Sequence, residues 1–438
     1  MEFQEKLLAS HIAFEEQIDY NDPVHKTRIK ALEVFEKKGF PSRKDEAWKY
    51  TSLNALISKD YALFPKSETP IELKKVKKFF LYEIDTYKIV FIDGVYSPFL
   101  SDTTHDGLDI CLMSAALSKY KYRRIIDSYF GSVAKIDDSL TALNTSYTRE
   151  GAYIYIPKDI VSEKPIEIIH FSTGKEKSIW LQPRNLIVLD NNSQAQIIER
   201  HQSLKPHDVV TNSVTEIFVN KEALLDYYKI QNDLNTSSLI DNTYLLQEKN
   251  STASIHTFSL GGKIVRNNLN FHHSGQRINS TLKGVTILNG EEHIDHYTLV
   301  NHSQPNCESF QEYKGIFSDK SKGIFNGKIF VEGLAQKTNA FQQSNNLLLD
   351  DMATVNAKPQ LEIFADDVKC SHGCTVGQLD KEALFYLRSR GVPKDDAKAL
   401  LTYAFANNIL NGVQLPVVKK RIKSLIANKL GVNLGFDL

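Results

Sequence analysis

Hydrophobic and polar positions follow three successive textures along this chain. Up to about residue 60 the apolar residues keep helical spacing: Ile29, Leu32 and Phe35, continued by Glu36, mark one helix, and Gly39-Phe40-Pro41 ends it. Tyr87-Lys88-Ile89-Val90-Phe91-Ile92-Asp93-Gly94 reads as a buried strand closed by a turn, and residues 114–149 return to a helical pattern. After Gly151 the period falls to two. Tyr153–Pro157, Asn185–Leu189, Ala195–Glu199, Val214–Val219 and Ala223–Tyr228 are short strands separated by Asn, Gly, Ser and Asp. No helical stretch of ten or more residues lies between them, which excludes alternating strand–helix units. From Gln378 the pattern is helical again. Asp380 is a natural N-cap, and Gly391 and Pro393 stop the first helix. Ala397, Leu400, Leu401, Ala404 and Phe405 give a second one an apolar stripe, and a third covers about 417–430. The expected organisation is a largely helical region with some strand at 1–150, a β core at 151–376 and a helical domain at 377–438. The last helices either cap the core or dock a partner, and capping is the simpler expectation.

A faint repeat runs through the β region. A shift of about 31 residues lays Phe310-Gln311 on Phe341-Gln342, Ile316-Phe317 on Leu347-Leu348, Asp319 on Asp350, Val300 on Val331 and Lys283-Gly284-Val285 on Lys314-Gly315-Ile316. Each unit holds about two strands. A two-stranded unit cannot bury its own apolar face, so stacking into a parallel β-helix is the expected solution, with a β-sandwich as the competitor.

Composition narrows the function. Lys+Arg and Asp+Glu both number 53 in 438 residues, and a zero net charge argues against nucleic-acid binding. Four cysteines at uneven spacing (Cys111, Cys307, Cys370, Cys374) do not form a disulfide framework. The segment Met1–Lys6 is not the start of a signal peptide, and no apolar run reaches the roughly 20 residues of a membrane span. The expectation is a cytoplasmic protein with no membrane partner.

The chemistry concentrates in Asp366–Gly377, where Cys370, His372 and Cys374 stand two apart. Thiols and imidazole are the common ligands of soft and borderline metals. On a strand these three share a face, with neighbours roughly 6–7 Å apart and the outer pair about 13 Å apart. The outer sulfurs cannot both reach one ion on a flat strand, although a bulge at Gly373 would relax this. A two-ligand site completed by another chain or by sulfide therefore fits better than a closed three-ligand site. On spacing alone the alternative stands, in which the cysteines are small core residues and the histidine is a hydrogen-bonded strand residue.

Other chemistries lack their patterns. There is no P-loop, no dinucleotide-binding glycine motif and no nucleophile elbow. In a strand, His293 and His296 face opposite ways, as do His272 and His273, so neither pair is expected to share a metal.

Two long segments resemble a known family. Lys358-Pro359-Gln360-Leu361-Glu362-Ile363-Phe364-Ala365-Asp366-Asp367-Val368-Lys369-Cys370-Ser371-His372-Gly373, continued through Phe385-Tyr386-Leu387-Arg388-Ser389-Arg390-Gly391, resembles the SufB/SufD family of iron–sulfur cluster assembly proteins. Pro41–Leu53, with Glu46-Ala47-Trp48-Lys49-Tyr50-Thr51 at its centre, resembles the family's N-terminal signature, and Leu143-Asn144 and Gly151–Pro157 also fit. By residues alone Trp48 and Tyr50 read as core anchors. Gln343-Ser344-Asn345-Asn346 lacks the cysteine of SufB-like chains, and Ser371 and Gly373 replace the carboxylates flanking their histidine, so the chain is most similar to the SufD side of the family. Cys374 departs from the alanine expected there.

The resemblance implies a right-handed parallel β-helix between helical regions. It also implies a non-catalytic scaffold subunit in a complex with SufB and the ATPase SufC. A transient iron–sulfur cluster or iron would be shared with SufB through His372 and Cys370, and none would be firmly bound by the isolated chain; Cys374, outside the family pattern, is either incidental or a third ligand. SufC would dock on the helices bearing Phe385, Tyr386, Arg388, Arg390, Gly391, Ala397 and Phe405. The open edges of a solenoid also allow a homodimer when SufB is absent. Two other readings remain: a structural partner subunit without metal ligands, and a carbohydrate-active β-helix enzyme.

Overall fold

Segments of period two can bury one face only by stacking. In the computed structural model, which describes residues 3–18, 22–63, 71–103, 107–174 and 178–431, they do so as a parallel β-helix of about eight turns. Each turn gives one strand to an 11-stranded sheet and one to a 10-stranded sheet. Alternate residues point between the sheets. Ile168, Ile197, Leu225, Tyr227, Ile255 and Leu282 from one sheet meet Ile187, Ile217, Leu245 and Leu269 from the other in a continuous apolar core. The turns between strands repeatedly place Asn or Asp in the left-handed region, as at Asn192, Asn250, Asn306 and Asp319.

The repeat is real but its step varies. Phe310 pairs with Phe341 and Ile316 with Leu347, as a 31-residue shift requires. One turn earlier the step is 29 residues: His273 lies beside His302, Val285 beside Lys314 and His302 beside Val331. The expected matches of Val300 with Val331 and of Lys283 with Lys314 are therefore two residues out of register. Turns of different length absorb the difference while the strands keep their inward faces, because a slip of two conserves parity.

The first end of the β-helix is closed by the N-terminal region. Tyr87–Ile92 joins the 10-stranded sheet and turns into the antiparallel strand Val95–Tyr96, and Asp109–Leu112 adds antiparallel to Ala152–Ile156. The helix Ser139–Ser146 is entirely buried, and the side-chain amide of Asn144 donates to the carbonyls of Pro183 and Asn212, at 2.8 Å each. Glu216, fully buried, accepts from the backbone N–H groups of Gly131, Val133 and Ala134 and from Arg184 at 2.5 Å, tying this region to the sheet. Gly151 sits at the junction with φ 144°, and a Cβ there would lie 1.9 Å from the Arg184 carbonyl oxygen, so only glycine fits.

In the N-terminal helix His25–Lys38 the buried face is Arg28, Ala31 and Phe35, and Ile29 is exposed, so the expected stripe is rotated by one residue. The signature segment straps the outside of the 11-stranded sheet. Arg266 covers the Trp48 ring at 4.1 Å and pairs with Asp295 at 2.5 Å; Thr51 donates to the same carboxylate at 2.6 Å, and Glu46 reaches Lys358. Trp48 is the anchor expected of it, whereas Tyr50 is exposed.

The far end is open. Thr354–Ile363 and Lys369–Gly377 are the outermost strands of the two sheets, and no described residue pairs with their free edges. The C-terminal helices do not cap it, contrary to the simpler expectation. The helix Lys394–Asn407 and the helix Pro416–Lys429 fold back across the outer face of the 10-stranded sheet, where Tyr403, Ala406, Ile409, Leu410, Val418 and Ile422 cover Tyr228, Phe258, Val285 and Ile316. Lys314 donates to the Phe405 carbonyl at 3.0 Å, and Lys429 pairs with Glu292 at 3.0 Å. This route wins because those outward positions of the sheet are apolar and would otherwise face water.

Candidate metal and partner site at the open end

The final strand, Lys369–Gly377, is the strand expected from Val368–Val376. Its register puts Cys370 beside Ala340, His372 beside Gln342, Cys374 beside Ser344 and Val376 beside Asn346. All four neighbours are buried, and Ala340 packs in the core of the last turn. Cys370, His372 and Cys374 therefore occupy inward-facing positions. They reach solvent because no further turn covers them: Cys370 is half-buried against the cluster of Ile329, Val331, Ala335 and Ala340, while His372 and Cys374 are exposed.

The three do not bring their ligand atoms within 4.8 Å of one another, so this strand holds no closed three-ligand group. That agrees with the spacing argument and leaves two or three donors aimed out of the end of the barrel. Burial raises the thiol pKa of Cys370 and of Cys374, so both are protonated near neutrality, and a metal bound there would displace the proton. Expected consequence: the alkylation rate of Cys370 by iodoacetamide rises with pH through an inflection above that of a free cysteine, measured in the Cys111→Ser/Cys307→Ser/Cys374→Ser background. An inflection at or below the free-thiol value would mean that an unrecognised cation activates it.

Around the donors the end surface mixes apolar and charged groups. Leu334, Phe364, Val376 and Ile363 are exposed, the Phe364 ring packs tilted against Phe330 at 5.5 Å, and Lys337 pairs with Asp367 and Lys328 with Glu362. Exposed apolar side chains beside two unpaired strand edges are the composition of a surface that a partner covers.

Three residues beyond the strand, Asp380 caps the helix Lys381–Ser389 by accepting from the N–H groups of Glu382 and Ala383. This helix buries no residue. Phe385 is 74% and Tyr386 57% exposed; Arg388 and Arg390 are exposed, Arg390 lying over the Tyr386 ring, and Gly391 is exposed at φ 88°. Ala397 is buried and Phe405 half-buried beneath Lys314, so these two serve the chain's own packing. The stripe Leu400, Leu401, Ala404 is not the buried one: the helix turns Ala397, Thr402, Tyr403 and Ala406 inward and leaves Leu400 and Ala404 exposed.

The remaining histidine pairs behave as their parity requires. His293 bonds Thr51 outside the barrel and His296 bonds Thr286 inside it. His273 faces inward, away from His272, and meets His302 of the next turn at 3.2 Å, a contact across turns that only the register reveals. Gln342 and Gln311, which the 31-residue shift aligns, are linked at 3.3 Å in an inward column behind His372.

Comparison with known proteins adds the following. A family profile described as SUF system FeS cluster assembly, SufBD core domain, matches residues 170–405, and one described as SufBD protein N-terminal region matches residues 6–168. The iron–sulfur cluster assembly protein SufD of Escherichia coli is 32% identical over 407 residues, covering 91% of either chain. A SufBD family iron–sulfur cluster assembly protein of Synechocystis is 30% identical over 395 residues, 88% of this chain and 87% of its own. SufD of Bacillus subtilis is 28% identical over 312 residues, 70% of either chain.

Proposed function

The chain belongs to the SufBD family of iron–sulfur cluster assembly proteins, and on that premise we propose that it is the SufD-like, non-catalytic subunit of a scaffold on which clusters are built with a SufB-like chain and a SufC-type ATPase. The observation that carries this is the uncovered last turn, with Cys370, His372 and Cys374 at inward positions open to solvent. A donor set too sparse to hold a cluster alone, set between two free strand edges, is suited to share its cargo with a second solenoid.

Iron and sulfide are the substrates in this reading. His372 offers an imidazole nitrogen and Cys370 a thiol that loses its proton on binding, while the partner supplies the remaining ligands. The exposed helix Lys381–Ser389 takes the ATPase through Phe385, Tyr386, Arg388 and Arg390. Only Gln378–Asp380 separate it from the donor strand, so motion of the helix reaches the site through three residues.

An anaerobic affinity purification from the native cells tests this, with co-eluting proteins identified and bound iron and sulfide assayed. A SufB-like chain and an ABC-type ATPase are expected. Phe385→Asp/Tyr386→Asp is expected to lose the ATPase at least tenfold while keeping the SufB-like chain, since both side chains lie on the surface. Recovery of the chain alone, without iron, would overturn the assignment, and undiminished ATPase in the double variant would overturn the docking site.

A further inference from the structure

A second donor cluster lies at the opposite end of the barrel. His170, on the strand Ile166–Ser172, and Glu199 and His201, on the adjacent strand Gln194–Ser203, project inward, with His170 and His201 side by side in register. The Nε2 atoms of His170 and His201 lie 3.8 and 3.6 Å from Oε1 of Glu199. These separations are too long for hydrogen bonds, and none of the three atoms has a hydrogen-bond partner among the described residues. The Glu199 side chain is fully buried, that of His201 is 8% and that of His170 12% exposed. Three buried polar atoms lie within 4.8 Å of one another without a partner, an arrangement that is costly unless something occupies the space between them.

From this geometry we infer a resident divalent-cation site formed by His170, Glu199 and His201, of the type that takes Fe²⁺ or Zn²⁺. Metal–ligand bonds of about 2.0–2.2 Å at tetrahedral angles put donor atoms roughly 3.4 Å apart, within a few tenths of an ångström of the separations seen. Two imidazoles and a carboxylate with open positions suit these metals. The carboxylate is oriented by its neighbours. Its other oxygen accepts from the Tyr227 hydroxyl at 2.8 Å and lies 3.4 Å from the Lys229 ammonium, which leaves Oε1 free. Phe91, His170 and His201 stack with interplanar angles of 10°, so a shared ion requires one imidazole to turn about its Cβ–Cγ bond until its ring plane meets that of the other.

Charge points the same way. Lys229 is paired with Asp241 at 2.5 Å and shares Glu199, and Asp233 faces the same cavity as the two histidines. Three carboxylates stand against one ammonium here, and Glu150 and Arg149, which line the same cavity, offset each other, so the surroundings favour a cation. A cavity of about 360 Å³ lined by Arg149, Glu150, Asp233 and both histidines gives an ion its route. Six strand spacings separate this cluster from Cys370 and His372, roughly 30 Å, so the two sites cannot share an ion. The inference does not depend on the cluster-assembly reading.

The experiment uses the full chain carrying Cys370→Ser, His372→Ala and Cys374→Ser, which removes the end site. After chelator treatment it is titrated anaerobically with Co²⁺, followed by ligand-field absorption, and with Zn²⁺ by calorimetry. One ion per chain is expected. His201→Asn or Glu199→Gln added to this background is expected to weaken binding at least tenfold while circular dichroism remains that of the parent. Absence of binding in the parent, or undiminished affinity in a folded His201→Asn or Glu199→Gln chain, would overturn the site; the two single variants guard against one failing to fold.

Discussion

His372→Ala is expected to abolish iron–sulfur cluster accumulation while leaving the chain folded and its complex assembled. His372 is exposed on the last strand, so its removal exposes no core and leaves no buried group unsatisfied; a surface change of this kind alters stability within about 0.5 kcal/mol. The effect on cargo is much larger. Loss of a metal's outer partner alone costs about 10–100-fold in affinity, and loss of a direct ligand should exceed the lower end of that range. The readout is iron and sulfide per complex after anaerobic purification, next to the stoichiometry of the subunits. Cys370→Ser should lower the yield similarly, and Cys374→Ser less, because Cys374 stands at the far side of His372 from Cys370. Normal cluster content in His372→Ala would remove the ligand role and leave the structural-subunit reading.

The second large effect is on folding. Glu216→Ala is expected to destabilise the chain by about 3–5 kcal/mol, the range for removing one partner of a buried ion pair. Glu216 and Arg184 are both fully buried at 2.5 Å. Truncation strands the Arg184 guanidinium and at the same time frees the N–H groups of Gly131, Val133 and Ala134. The N-terminal region should loosen first, since these bonds join it to the sheet. Glu216→Gln keeps an acceptor for the backbone and loses only the charge, so it should fall between wild type and alanine. Denaturant midpoints with hydrogen exchange at 131–134 would show this order. A Glu216→Ala chain of wild-type stability would mean that water replaces the carboxylate in that buried joint.

The two predictions mark what was readable in advance and what was not. His372 was visible because it lies in a short run of chemistry-bearing residues on one strand, and strand parity is a local property. The β-helix itself was visible because period two persisted for two hundred residues with Asn, Asp and Gly at the turns. Glu216, Arg184, Glu199 and Lys229 were not, since each sits at an inward or buried position whose partner lies a turn or more away. Turn steps that change from 29 to 31 residues hide which residues become neighbours. The C-terminal helices were misjudged for a related reason. The stripe Ala397, Leu400, Leu401, Ala404, Phe405 satisfies helical periodicity, but the face through Thr402, Tyr403 and Ala406 is the one that meets the apolar outer side of the 10-stranded sheet. A helix with two passable faces is oriented by its partner, and the partner surface is spread over strands from 198 to 316. The remaining face, with Phe385 and Tyr386 nearby, is the one a second protein can use.

The unequal ends of the barrel also limit how many molecules can join. A stack of identical turns with both ends bare would bind head to tail and keep growing, because each addition regenerates the surface it consumed. Here the first end is finished by antiparallel strands and buried helix, so among the described residues only the far end presents bare parallel edges. A molecule with a single adhesive end joins one other such end, its own kind or a related chain, and the surface is then used up. Pairing through this end would therefore stop at two barrels, because the cap that closes the core leaves no second bare end for a fibre to grow from.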